Sequence, residues 1–162
     1  MKRTFLEEPV FCFTADIDWA AEEHIDDMLS LFKSYGVPLT PFVTHESAVL
    51  QSYYSTPELR QRVGLHPNFR SGSTHGREVS DICENVQRLW PEAKGFRSHS
   101  FFESSPVLEE MFRRGLVYDS NTCLWLQPNC LPLRHFSGLI RFPVFWEDDV
   151  HFLKCDSFEL SS

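Results

Sequence analysis

The chain has 162 residues, of which 42% are hydrophobic, so we expect residues 1–162 to form a single domain with a real core. Its formal net charge of −8 argues against binding to a nucleic acid backbone, which requires a basic surface. The five cysteines are scattered without a C-x-x-C pair, which is typical of reduced thiols in a cytoplasmic protein. The amino terminus reaches acidic residues before any apolar run, and no run is long enough for membrane insertion.

Strand-like apolar runs alternate with helical patterns along the whole chain. In order, they predict strand 10–15, helix 24–35, strand 37–44, short helices near Glu46 and after Thr56, strand 62–66, helix 77–90, strand 95–98, helix 105–114, strand 116–119, a loop over 126–134 and strand 139–146. Such alternation implies parallel strands joined by crossover helices, either in a barrel or in an open doubly wound sheet.

Polar side chains stand at or just past the ends of the predicted strands. They are Asp16, Asp18, His66, Arg97, Asp119, Glu147 and Asp148. Parallel α/β folds hold their functional groups at the carboxyl ends of the strands. A single residue of this kind means little, but polar groups at successive strand ends indicate the mouth of an active site.

Two carboxylates and two imidazoles have the chemistry of a metal site. Asp16 and Asp18 are one residue apart, so in an extended chain one can ligate a metal while the other acts as a base. His66 ends a strand, and His75 follows in a polar loop that can fold back toward it. Two histidines and one carboxylate form a known catalytic zinc set. The alternative interpretations are that Asp18 caps a turn and that His75 is a solvated loop residue.

Four short motifs follow one another along the chain. They are Thr-Ala-Asp-Ile-Asp at residues 14–18, Gly-Leu-His at 64–66 with His75 after it, Gly-Phe-Arg-Ser-His-Ser-Phe at 95–101 and Val-Tyr-Asp-Ser at 117–120. In this order they resemble the motifs of the polysaccharide deacetylases (carbohydrate esterase family 4, the NodB-homology domain), the first motif in an atypical Asp-x-Asp form. The resemblance implies an α/β fold, a NodB-type distorted (β/α) barrel with about six parallel strands.

The resemblance also implies a role for each matching residue. Asp16 would be the general base, and Arg97 would hold it ionised and oriented through a charge-assisted hydrogen bond. Asp18, His66 and His75 would ligate a divalent metal ion, for which Zn²⁺ is expected. The implied activity is removal of an N- or O-linked acetyl group from a carbohydrate, in the class of hydrolases that act on C–N bonds other than peptide bonds.

Aromatic and acidic residues near the later strands have two interpretations each. Trp125 and Trp146 are candidates for stacking on a sugar ring, although aromatic residues at such positions are more often core. The acidic run 147–149 either lines the cleft or belongs to a solvated loop.

The sequence departs from the family's pattern in two places. The family has three residues between its two metal histidines, and Arg70 occupies the position of the second histidine here, so His75 has to reach the ion across a longer loop. The family's late general-acid histidine has no matching motif, and His99 and His151 are the possible substitutes. We therefore expect a domain incomplete at its C-terminus.

Two alternatives to an active deacetylase stay open. One is a non-catalytic domain that keeps the fold and binds a carbohydrate or a partner chain. The other is a different metallohydrolase on a similar barrel.

Overall fold

A computed structural model of the chain describes residues 10–160 as an α/β fold built on one seven-stranded sheet. The strands are β1 (Phe13–Asp16), β2 (Leu39–Val43), β3 (Gly64–Leu65), β4 (Gly95–Phe96), β5 (Tyr118–Asp119), β6 (Leu133–Arg134) and β7 (Ile140–Arg141). Their order is β1-β2-β3-β4-β5-β7-β6, and every neighbouring pair is parallel except β6 and β7. The parallel α/β architecture expected from the sequence is confirmed, and the six parallel strands are those that were predicted.

Six helices connect or follow these strands. They are α1 (Glu22–Ser34), α2 (Ala48–Tyr53), α3 (Pro57–Arg60), α4 (Val79–Leu89), α5 (Ser105–Arg113) and α6 (Asp148–Cys155). The short helices begin where the sequence provides a cap. Ser47 accepts a hydrogen bond from the Leu50 amide at the start of α2, and Thr56 caps α3 ahead of Pro57.

Two elements differ from the sequence prediction, both in the last part of the chain. The predicted loop 126–134 ends in the short strand β6, which pairs antiparallel with β7. The acidic run 147–149 is not a loop, because Glu147 caps α6 by accepting a hydrogen bond from the Val150 amide at 2.6 Å. The sequence pattern does not predict β6 because a two-residue strand is too short to show a hydrophobic period. It does not predict α6 because acidic residues dominate the start of that helix.

The core lies between the strands and the apolar faces of the helices. It contains Leu65 of β3, Phe96 of β4, Leu29 of α1, Val86 of α4 and Met111 of α5, all almost fully buried. Apolar burial of this kind supplies most of the stability of a small domain. Within residues 10–160, every helix is too short or too polar to span a lipid bilayer.

The ends of the strands are polar and yet buried. Thr44 follows β2, His66 follows β3, Arg97 follows β4 and Ser120 follows β5, and each is less than a tenth exposed. Since buried polar groups need partners, these four positions define the region in which the partners must be found.

Candidate metal centre

Three strand ends converge on one cleft. Asp16 closes β1, Asp18 lies two residues further on, His66 directly follows β3, and Arg97 directly follows β4. The cleft encloses about 210 Å³, and its lining includes Asp16, Asp18, His66 and, from the segment after β4, His99. Residues far apart in sequence therefore meet at the carboxyl edge of the sheet, as expected for parallel strands.

His66 is the most unusual residue in the cleft. Its side chain is only 1% exposed, and Nε2 lies 3.2 Å from Asp18 Oδ1 while Nδ1 lies 3.7 Å from Asp16 Oδ1. Neither approach has the geometry of a hydrogen bond, so within residues 10–160 both ring nitrogens are buried without a hydrogen-bond partner. Leaving a buried polar group unpaired costs about 1–3 kcal/mol, and such a group in a native protein requires an explanation. A cation that accepts the imidazole lone pair provides one.

His99 supplies the third donor of the group. Its Nδ1 lies 2.8 Å from Asp18 Oδ1, and its ring packs edge-on against His66 with centroids 5.6 Å apart. One donor atom from each of Asp18, His66 and His99 lies within 4.8 Å of the other two. Ligands of a tetrahedral zinc ion lie about 3.3 Å apart at the usual bond lengths. Asp18 Oδ1 is already about this close to both rings, at 2.8 Å from His99 Nδ1 and 3.2 Å from His66 Nε2.

Backbone conformation is unusual on two of the three segments that carry these donors. Asp18 and Trp19 have φ angles of 41° and 60°, and Ser100 and Phe101 have 58° and 52°. Non-glycine residues rarely adopt this left-handed region, and when they do they cluster at functional sites. The turn at Ser100 and Phe101 directly follows His99 and reverses the chain at the cleft.

The predicted ligand His75 does not join this group. Its Nε2 donates a hydrogen bond to the Thr44 carbonyl at 2.7 Å, and its Nδ1 accepts one from the Asn68 amide at 3.0 Å. Both ring nitrogens are therefore committed to the protein, and burial lowers the pKa of His75, which favours the neutral ring. The longer loop folds back on itself, so His75 lies outside the group of donors that the structure brings together, and His99 lies inside it. Which of these residues bind a metal stays a prediction.

Arg97 is held rigidly beneath Asp16. The buried guanidinium donates from Nε to the Ser120 carbonyl at 3.0 Å and from Nη2 to Thr14 Oγ1 at 2.9 Å and Ser120 Oγ at 3.1 Å. Its remaining arm, Nη1, donates to Asp16 Oδ1 at 3.0 Å. The expected contact between Arg97 and Asp16 is present. The guanidinium is held by its other hydrogen bonds, and it therefore orients the Asp16 carboxylate.

Two carboxyl groups in the cleft have shifted pKa values. His66 beside Asp18 lowers the pKa of that carboxyl, and the neighbouring His99 acts in the same direction. Burial raises the pKa of Glu147, which lines the cleft from the start of α6, and the nearby carboxylates of Asp148 and Asp149 add to the rise. One acid of the cleft therefore favours its charged form and another its neutral form.

Trp125 and Trp146 lie beside the cleft, on a buried histidine. Trp125 Nε1 donates a hydrogen bond to His151 Nδ1 at 3.3 Å, and the Trp146 ring lies 5.8 Å from the His151 ring between centroids. His151 Nε2 donates in turn to the Glu159 carbonyl at 3.0 Å. Within the described part of the chain neither tryptophan is among the residues that line the cleft, whose aromatic wall is Phe101. Sugar stacking by the two tryptophans stays a prediction.

A comparison with protein families identifies the family to which this domain belongs. Residues 13–162 match the family described as WbmS-like polysaccharide deacetylase, and this range includes every residue of the cleft. The chain belongs to the WbmS-like polysaccharide deacetylase family. The family expected from the four sequence motifs is thereby confirmed.

A solved structure supports the same assignment. It is the 1.90 Å crystal structure of a Bordetella bronchiseptica protein, WbmS, described as a "putative polysaccharide deacetylase involved in O-antigen biosynthesis". The two chains share 31% sequence identity with a TM-score of 0.81, and the match covers 93% of this chain. It covers 63% of the relative, so the chain spans less than two thirds of that protein's length. The chain has no significant match among curated proteins.

Proposed function

We propose that the chain is a metal-dependent hydrolase that removes an N- or O-linked acetyl group from a carbohydrate. The observation that carries the proposal is the buried His66 ring, which has no hydrogen-bond partner among the residues that the structure describes and lies beside Asp18 and His99 in the cleft. Membership of a polysaccharide deacetylase family supports a carbohydrate substrate and the removal of an acetyl group from it.

The proposed metal ligands are Asp18, His66 and His99. One carboxylate and two imidazoles suit Zn²⁺ in particular, and a zinc ion held by three protein ligands keeps a fourth position for water or substrate. A divalent ion held there supplies a Lewis acid, which polarises an acetyl carbonyl and lowers the pKa of a water molecule. His66 and His99 must be neutral to donate their lone pairs, so binding is expected to weaken as the pH falls.

Asp16 is the proposed general base. Arg97 engages Oδ1 of its carboxylate, and within the described residues no hydrogen bond is made by Oδ2, which remains able to take a proton from the attacking water. The 3.7 Å separation between Asp16 Oδ1 and His66 Nδ1 places this base next to the proposed ligands. Arg97 contributes by fixing the carboxylate in one orientation.

Glu147 is the cleft acid best suited to protonate a leaving amine. Burial raises the pKa of its carboxyl, which is the direction required of a proton donor. Of the two histidines considered as substitute acids, His99 belongs to the proposed ligand set, and His151 has both ring nitrogens in hydrogen bonds to Trp125 and the Glu159 carbonyl.

Acetate release from N-acetylated and O-acetylated sugars by the zinc-loaded chain tests the proposal. Asp16→Asn keeps the shape of the side chain and removes the base, so we expect the rate to fall by about 10²–10⁴-fold while zinc binding persists. Asp27→Asn, an equal change on the exposed face of α1, is the matched control and should leave the rate unchanged. Zinc and sugar binding without acetate release would instead favour the non-catalytic alternative.

A further inference from the structure

We propose that a second pocket, beside the cleft, binds an oxyanion carried by the sugar substrate, either a phosphoryl or a carboxylate group. The inference rests on the proposed function and adds a substrate class to it. The pocket, here called the arginine pocket, encloses about 450 Å³ and is lined by Phe69, Arg70, Ser71, Gly72, Ser73, Gly76 and Arg77. It is formed by the loop between β3 and α4 that was expected to deliver His75 to the metal.

The loop is held in shape by hydrogen bonds that end on His75. The Asn68 amide donates to His75 Nδ1 at 3.0 Å, which closes the loop, and Asn85 Nδ2 of α4 donates to the His75 carbonyl at 2.7 Å. Inside the loop, the Arg70 amide donates to Asn68 Oδ1 at 2.9 Å. Arg70 is therefore presented by an ordered turn, and His75 is the residue that fastens it.

Two further features of the lining are a Ser73 hydroxyl hydrogen that can bind an anion and the close packing of Gly76 against α4. Ser73 Oγ accepts a hydrogen bond from the His75 amide at 3.0 Å, so its hydroxyl hydrogen remains able to donate. A side chain at Gly76 would come within 3.1 Å of Asp81 Cβ and 3.2 Å of the Ile82 amide nitrogen. Gly76, whose φ is +148°, therefore keeps the loop close to the start of α4.

The charge of the arginine pocket is opposite to that of the cleft. Its lining contains two arginines and no carboxylate, whereas the cleft lining contains four carboxylates and no arginine. Within residues 10–160 neither Arg70 nor Arg77 forms an ion pair, and the same is true of Arg62 and Arg134, whereas six other arginines do so: Arg60, Arg88, Arg97, Arg113, Arg114 and Arg141. Arg70 and Arg77 differ from Arg62 and Arg134 in lining one pocket together. In a chain of net charge −8, two arginines in one pocket with no carboxylate beside them in its lining suit an anionic ligand.

The segment after His99 joins the two pockets. Ser100 lines the cleft, and its hydroxyl accepts a hydrogen bond from Arg70 Nη1 of the arginine pocket at 3.3 Å. Phe102 packs against Phe69 of the arginine pocket with ring centroids 5.8 Å apart. One sugar derivative can therefore place its acetyl group at the proposed metal centre and an oxyanion on the arginines. Guanidinium groups recognise both phosphate and carboxylate oxygens.

Titration calorimetry with three probes tests this inference without turnover. The probes are N-acetylglucosamine, N-acetylglucosamine 1-phosphate and N-acetylglucosaminuronic acid, each added to the zinc-loaded Asp16→Asn protein. We expect at least one anionic probe to bind about tenfold more tightly than the neutral sugar. Which anion gains the advantage identifies the group as phosphoryl or carboxylate. The advantage should shrink as salt is added, because Arg70 and Arg77 are exposed.

The double variant Arg70→Ala/Arg77→Ala, in the same Asp16→Asn background, should lose this advantage and keep its affinity for the neutral sugar. Arg88→Ala/Arg113→Ala removes the same charge from exposed positions on α4 and α5 and should keep the advantage. Equal affinity for all three probes, or an equal loss in both double variants, would overturn the inference. Acetate release by the wild-type protein is measured separately, so failure of the proposed function is distinguished from failure of the arginine pocket.

Discussion

The cleft and the loop that follows it, residues 67–75, place two histidines in opposite situations. His66 in the cleft is 1% exposed, and neither of its ring nitrogens has a hydrogen-bond partner in the described part of the chain. His75 in the loop is also buried, yet both of its nitrogens are bonded to the backbone, at Thr44 and Asn68. A buried ring whose nitrogens are both hydrogen-bonded stabilises the fold. A buried ring without such bonds lowers the free energy of unfolding, and a ligand that binds the ring raises it again. The contrast separates a functional histidine from a structural one, although both lie near the same strand end.

The largest expected effect is on metal binding. His66→Leu removes a proposed ligand, so we expect the chain to lose stoichiometric zinc binding. His75→Leu, the matched change in the loop, should keep about one zinc per chain because this ring is outside the donor set. Elemental analysis after dialysis against excess zinc measures both variants. Loss of zinc from His75→Leu with retention in His66→Leu would reverse the assignment.

For stability, the order of the two variants should be reversed, with the larger effect in His75→Leu. In the metal-free protein, His75→Leu leaves the Thr44 carbonyl and the Asn68 amide without partners, so we expect a loss of about 2–4 kcal/mol. His66→Leu removes no hydrogen bond, and its free energy of unfolding should stay within about 1 kcal/mol of the wild type. Urea denaturation in the presence of a chelator measures both values. A His66 variant as unstable as the His75 variant would show that the cleft ring also has a structural role.

The smallest expected effect is on the pH dependence of stability. Burial lowers the pKa of folded His75 below its ordinary value of 6.5. Between the two pKa values the unfolded chain binds more protons, so the contribution of His75 is complete above pH 6.5 and declines as the pH falls toward the folded pKa.

Denaturation of the metal-free protein at about pH 7.5 and about pH 5.5 measures this dependence. We expect His75→Leu to lose less stability than the wild type over this range. His24→Gln, on the exposed surface of α1, is the control and should behave as the wild type. An unchanged pH dependence in His75→Leu would contradict the neutral, buried state of this ring.

Much of the cleft was predictable because its positions follow from local patterns. Asp16, His66 and Arg97 each stand at the end of an apolar run, and the parallel arrangement of the strands brings such ends together. The Arg97–Asp16 hydrogen bond, between residues 81 positions apart, follows from that geometry and from the opposite charges.

The donor set was not predictable in the same way, because it depends on how loops turn. His75 is nearer to His66 in sequence, but the intervening loop closes on itself through Asn68. His99 contacts Asp18 from a segment whose amide is bonded to the Pro67 carbonyl and whose next two residues, Ser100 and Phe101, adopt a left-handed conformation that no sequence pattern marks. The feature of the sequence that could have indicated His99 as a donor is its position, two residues past Arg97 at a strand end. The sequence analysis considered His99 only as a substitute acid.

The most direct test of the central claim is an anomalous difference map from crystals of the zinc-loaded protein, recorded at the zinc absorption edge. We predict one strong peak between Asp18, His66 Nε2 and the ring of His99, within about 2.0–2.2 Å of each donor. The His75 ring should remain hydrogen-bonded to the Thr44 carbonyl, as it is in the metal-free fold. A peak on His75, or an empty cleft in crystals that hold zinc elsewhere, would contradict the account.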